Sequence, residues 1–254
     1  MKNYKYLKIR NIVIVIVCLL LITSCNLGND KDKFTDNGII LFEDIKLKEA
    51  LLENGVDANN DKEISIREAN SYKGILDLSN NEIISADGIQ HFINIKIINL
   101  SQNNIKSLEP FFDMKNLTSL DLSNNDITDI SMISSCINLI VLDLSSNKIS
   151  NIEAVSKLEN LEYLDLSNNN LINIDMISQC FKLKYLLVDN NDITDINSLR
   201  NLNISELWIN DTLISSIPEE ILHKLRKVNI SNSKVNENDI MTYTEVIAKE
   251  SKND

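Results

Sequence analysis

Residues 117–130 read LTSLDLSNNDITDI, and the chain returns to this pattern every 22 residues. The other clear copies are IKIINLSQNNIKSL (95–108), LIVLDLSSNKISNI (139–152), LEYLDLSNNNLINI (161–174) and LKYLLVDNNDITDI (183–196). Each has the form LxxLxLxxN or a close variant, followed by isoleucine or leucine two and five residues after the asparagine. A degenerate copy with Leu76, Leu78 and Asn81 precedes them, and two degraded copies follow at Leu207/Ile209 and Val228/Ile230. A fixed period held in phase over five copies is the mark of stacked repeats, so the repeat is read before any single element.

In LTSLDLSNN, Leu120 and Leu122 alternate inward on a short strand while Ser119 and Asp121 point outward. One such unit cannot bury its apolar edge alone. Units therefore stack, and their strands form a parallel sheet on the concave side, with short 3-10 or irregular turns on the convex side. Asn81, Asn103, Asn125, Asn147, Asn169 and Asn191 fall where the chain leaves each strand. A buried amide there satisfies backbone groups of neighbouring turns, so these asparagines are structural. The pattern is that of a leucine-rich repeat, and its 22-residue spacing resembles the internalin type of bacterial surface proteins over residues 73–235. The resemblance implies a curved leucine-rich-repeat solenoid of about eight repeats over 73–237. It also implies adhesion or host-protein recognition, through fold type and not through matched binding residues.

Cys136 and Cys180 occupy one repeat position, held by Leu158 and Leu202 in other copies, so they belong to the core. Two repeats separate them, at least about 10 Å at the usual strand spacing, beyond the ~7 Å between Cα atoms that a disulfide spans. Both are expected to be free, buried thiols.

A solenoid exposes core at each end and needs caps. Residues 39–72 suit a small helical N-terminal cap: EDIKLKEALLENGV sets Leu47, Ala50 and Leu51 on one helical face, and IREANSYKG forms a second short helix. Between them DANNDKEISIRE resembles an EF-hand loop. Asp57, Asn59, Asp61, Glu63 (through its carbonyl), Ser65 and Glu68 fall at ligand positions 1, 3, 5, 7, 9 and 12. The resemblance implies Ca2+ held as a structural ion, with no cofactor required elsewhere. The departure is Lys62, where glycine normally takes the sharp turn; a left-handed lysine costs about 1–2 kcal/mol. The alternative is an Asp/Asn-rich turn joining the cap helices without metal. At the other end, Ile240, Tyr243 and Ile247 share a helical face, so residues 238–254 are expected to form a C-terminal cap helix and tail.

The first 24 residues have the form of a signal peptide. Lys2, Lys5, Lys8 and Arg10 precede an apolar run from Ile12 to Ile22, too short to span a bilayer and of the right length for an h-region. Ile22-Thr23-Ser24-Cys25 resembles the lipobox of bacterial lipoproteins. That resemblance implies cleavage before Cys25 and lipidation of its thiol and new amino terminus, which anchors the protein in a membrane of the cell envelope. The alternative is an ordinary secretory signal with an incidental cysteine. Residues 25–38 are polar and read as a flexible tether.

The chain carries a formal net charge of −12, which becomes −16 once the four positive charges of the signal are removed. That balance argues against nucleic acid and against lying on anionic lipid. No glycine-rich phosphate loop, metal-spaced His/Cys cluster or nucleophile motif is present in the sequence, and the two histidines, His91 and His223, lie far apart in repeat order. We therefore expect no enzyme. Asp77, Asp121, Asp143 and Asp165 form an outward acidic stripe that reads as a solvated face.

Function then falls to the concave sheet. Its outward positions are Ile75/Asp77, Ile97/Asn99, Ser119/Asp121 and Val141/Asp143, after which the character changes to Tyr163/Asp165, Tyr185/Leu187 and Glu206/Trp208. If register holds, Tyr163, Tyr185, Leu187 and Trp208 make one aromatic-aliphatic patch beside the acidic stripe, the composition of a protein-binding hot spot. The alternative is a patch covered by the C-terminal cap. The expected role is binding of a protein partner by a lipid-anchored, surface-exposed envelope protein. The rival is an inward-facing scaffold that organises a membrane or periplasmic partner.

Overall fold

The computed structural model describes residues 38–236 and the strand Glu245–Ile247. The segment 1–24, Cys25 and nearly all of the tether lie outside the described residues. Among the described residues nine short strands form one sheet in chain order, every neighbouring pair parallel. They are β1 (Leu76–Asp77), β2 (Ile97–Asn99), β3 (Ser119–Asp121), β4 (Val141–Asp143), β5 (Tyr163–Asp165), β6 (Tyr185–Leu187), β7 (Glu206–Trp208), β8 (Lys227–Asn229) and β9 (Glu245–Ile247). The first eight belong to eight repeats of a leucine-rich-repeat solenoid, with sequential neighbours because each repeat can bury its apolar edge only against the next.

The middle residue of each strand from β2 to β8 points inward: Ile98, Leu120, Leu142, Leu164, Leu186, Leu207 and Val228 are all buried. The opposite wall comes from 3-10 turns such as Ser131–Ser135, Glu153–Lys157 and Asp175–Gln179, which bury Ile133, Val155 and Ile177. Cys136 and Cys180 are free and fully buried. Burial pushes their thiols up to about 11 and about 12.

The asparagines form a ladder from repeat to repeat. Asn147 donates to the carbonyls of Leu122 and Leu144 and accepts the Ile127 amide at 3.0 Å. Asn125 and Asn169 repeat this set one turn away in either direction, and Asn191 repeats it a further turn on. Each therefore ties its own strand exit to the preceding turn, where backbone groups have no strand partner. A second ladder runs beside it: Asn80, Gln102, Asn124, Ser146, Asn168, Asn190, Asp211 and Asn232 all have φ between 50° and 56°. Asn and Asp tolerate this left-handed turn because the short polar side chain bonds locally, whereas Gln102 and Ser146 bear its cost.

The N-terminal cap contains α1 (Ile45–Glu53) and α2 (Ile66–Ser71). Helix α1 buries Leu47, Ala50 and Leu51. Asp44 caps it through the Lys46 and Leu47 amides, and its other oxygen accepts from Ile84 and Ser85 of the first repeat at 2.7 and 3.0 Å. One buried carboxylate thus holds helix and solenoid together. Asn54 completes the junction: its amide donates to the Asp77 carbonyl at 2.7 Å and accepts the Asp77 amide at 2.9 Å, replacing a neighbouring strand at the edge of β1. Gly88 (φ 111°) lies where a Cβ would meet the Phe42 ring at 2.5 Å, so the cap packs against a position only glycine can fill.

The C-terminal end differs from expectation. Within the expected helix, Glu245–Ile247 is strand β9, paired in register with Lys227–Asn229. The edge of β8 presents a row of backbone donors and acceptors that an extended segment satisfies and a helix does not. The remainder of residues 238–254 lies outside the described residues.

Candidate partner-binding face

Outward residues of the sheet fall into parallel rows. One row runs Ile97, Ser119, Val141, Tyr163, Tyr185, Glu206, Lys227, and the next runs Asp77, Asn99, Asp121, Asp143, Asp165, Leu187, Trp208, Asn229. The four residues singled out in the sequence are brought together on three adjacent strands. The Tyr163 and Tyr185 rings lie 6.4 Å apart at 38°, and Leu187 and Trp208 are direct register partners. Tyr185 is 39% exposed and the other three are half-buried. Lys227 reaches over Trp208, its Nζ 5.6 Å from the ring centroid, so a cation already shares that ring.

The spacing between β6 and β7 is 21 residues rather than 22, yet the register is kept. The missing residue falls after the 3-10 turn: the buried Leu202 and Ile204 stand two apart where Cys180 and Leu183 of the preceding repeat stand three apart. The apolar row is also longer than the sequence argument allowed. Ile75, Ile97 and Val141 are exposed large hydrophobics leading up to Tyr163.

Beside this row the carboxylates stand in ladder order. Asp121, Asp143 and Asp165 are register partners on β3, β4 and β5. Burial pushes Asp143 up to about 6, against hydrogen bonds from the Ser145 amide and hydroxyl and together with the charges of Asp165 and Asp121. Asp165 is raised, first by burial. Where Leu187 takes the expected aspartate position, the acid moves two residues on: Asp189 is raised to about 6 by burial and by the charge of Asp165, although the Asn210 amide donates to it at 2.7 Å. Tyr163 is pushed up to about 12 by burial and by Asp165 and Asp143. Burial is the largest cause in each case, and neighbouring like charge adds to it.

The cap loop was the second candidate. Asp57 accepts the Asp61 and Lys62 amides at 3.3 and 2.8 Å, and Asp61 accepts the Glu63 amide at 2.8 Å. Asn59 bonds Asp61, and Lys62 adopts φ 66°. Glu68 accepts from Ala58, the Ser65 amide and the Ser65 hydroxyl. Desolvation raises the Glu68 carboxyl, but these hydrogen bonds outweigh it and leave it lowered. The loop carboxylates are engaged with the loop itself, and among the described residues no group of three or more His, Cys, Asp or Glu side chains is gathered to hold a metal.

Among the described residues no helix is long and apolar enough to cross a membrane. Family models for leucine-rich repeats match residues 74–127 and 137–193, and a two-copy leucine-rich-repeat model matches 115–157. No curated protein matches the chain. Among solved structures, an internalin of Listeria monocytogenes is 24% identical with a TM-score of 0.72, covering 81% of this chain and 64% of its own. Internalin C2 of the same organism is 25% identical with a TM-score of 0.74, covering 81% and 94%. A leucine-rich-repeat protein of Leptospira interrogans is 23% identical with a TM-score of 0.66, covering 71% and 50%. The chain thus spans under two thirds of the first and third of these proteins. What it shares with them is the fold: a leucine-rich-repeat solenoid of the internalin-like kind.

Proposed function

We propose that this chain is a lipid-anchored protein of the cell envelope that binds a protein partner through the concave face of its solenoid. The observation that carries the reading is the outward row of Ile97, Val141, Tyr163 and Tyr185, joined by Leu187 and Trp208 on strands held in register. Large apolar and aromatic groups on a rigid sheet lose little conformational entropy on binding, which is what anchor residues need. Cys25 is the proposed lipid attachment, and surface exposure with a role in adhesion or host-protein recognition is the proposed setting. The role is one of binding, not catalysis.

Two experiments test this. Protease treatment of intact cells should remove the solenoid; protection that is lost only on lysis would indicate the inward-facing scaffold. Chemical crosslinking in intact cells should yield adducts with the wild-type chain that disappear with the Tyr185→Ala/Trp208→Ala variant while its thermal midpoint is retained. Adducts undiminished in that variant would place binding elsewhere.

A further inference from the structure

The proposed binding face has an electrostatic character that narrows the partner. Asp121, Asp143 and Asp165 stand on successive strands about 4.8 Å apart, and Asp189 continues the acid beside Asp165. Among the described residues the ion pairs lie elsewhere: Lys148 with Asp126, Lys184 with Glu162, Lys115 with Asp113, Arg200 with Glu220. None of them involves the four aspartates. Lys227, a cation beside the anchors, is over Trp208.

A row of carboxylates spread along a ladder does not enclose a point, and no metal-holding group is found there among the described residues. It suits a line of charge instead. Resting on the reading that this face binds protein, we infer that the partner presents an extended segment in which arginine or lysine alternates with apolar side chains. The cations lie along Asp121, Asp143, Asp165 and Asp189, and the apolar groups lie against Tyr163, Tyr185, Leu187 and Trp208. The complementarity has two parts that the sheet keeps in adjacent rows. An acidic chain of net charge −12 also attracts such a segment from a distance.

The test is selection of random peptides displayed on phage against the immobilised full chain, run in parallel on Asp143→Asn/Asp165→Asn and on Tyr185→Ala/Trp208→Ala. Wild type should enrich peptides that carry arginine or lysine next to aromatic or aliphatic residues. Both variants should lose that enrichment. One enriched peptide, made synthetically, should bind the aspartate variant about tenfold or more weakly, since close charge pairs at interfaces are coupled by amounts of that order. Enrichment of uncharged or acidic peptides that depends on Tyr185 and Trp208 but not on the aspartates would overturn the inference and leave the binding face standing. Failure to enrich any peptide that depends on Tyr185 and Trp208 would overturn the binding face as well. Folding of each variant is checked by circular dichroism, and Asn99 already occupies the aspartate position in β2 with the same bonds to Ser101.

Discussion

Asp143→Asn should make the protein more stable at neutral pH. The carboxyl sits in the middle of the acidic ladder, and its environment carries it from an ordinary 3.8 up to about 6. At about 1.4 kcal/mol per pKa unit the charged form costs the native state no more than about 3 kcal/mol. The group is partly open to solvent, which screens both burial and like charge, so about 1 kcal/mol is the working figure. The native state holds its proton to higher pH than the unfolded chain. Below 3.8 both states are protonated and the cost is absent; it accrues as pH rises from 3.8 to about 6 and is constant above that. The Asn side chain keeps the acceptor that bonds the Ser145 amide and hydroxyl at 2.9 and 2.7 Å. Urea unfolding of wild type and variant at pH 7.5 and pH 3.5 reads the effect. We expect a gain of about 1 kcal/mol at pH 7.5, most of it gone at pH 3.5. A variant less stable than wild type at pH 7.5, or a gain independent of pH, would refute the argument that the ladder is uncompensated. The same substitution is expected to weaken binding, so a face that costs stability is one that serves the partner.

Other expectations are as direct. Asp44→Ala removes acceptors for four backbone amides, two in α1 and two in the first repeat, and should cost about 2–4 kcal/mol, with hydrogen exchange rising first at Leu47, Ile84 and Ser85. Asn147→Ala strips one rung of the ladder and should cost about 3 kcal/mol in urea unfolding, whereas Ser146→Asn should gain about 0.5 kcal/mol by easing a left-handed turn at φ 55°. Cys136 and Cys180, pushed up to about 11 and about 12 by burial, should resist a thiol reagent at pH 8 until the chain is unfolded; rapid native labelling of either would contradict the packing. Calcium capture by the cap would require Glu68 to leave Ser65 and Ala58, so calorimetry should show heat only near ~10⁻³ M calcium, abolished by Glu68→Gln. Tight micromolar binding would contradict the hydrogen-bonded arrangement of the loop.

The solenoid was legible in the sequence because one pattern repeated in phase leaves little choice: Leu120 and Leu122 can be inward together only on a strand, and Asn125 has a use only where turns stack. The outward rows were legible for the same reason, since alternation fixes the side of every strand residue. Strand β9 was not legible. Ile240, Tyr243 and Ile247 carry helical spacing, and only the open edge of β8 makes an extended Glu245–Ile247 the better partner. The double duty of Asp44 also escaped, because its first-repeat partners lie 40 and 41 residues away. Asp189 taking up the acid that Leu187 gives up was present in the letters LLVD but has meaning only once Asp165 is known to lie beside it.

The central claim is that the concave row around Tyr185 meets a protein partner. Photo-crosslinking amino acids placed one at a time at Tyr185, at Trp208 and at Thr128 in the convex-side pocket beside Ser131, and illuminated in intact cells, test it most directly. A discrete protein adduct from positions 185 and 208, with none from 128, is the expected result. Adducts from 128 alone, or equal adducts from all three positions, would contradict it.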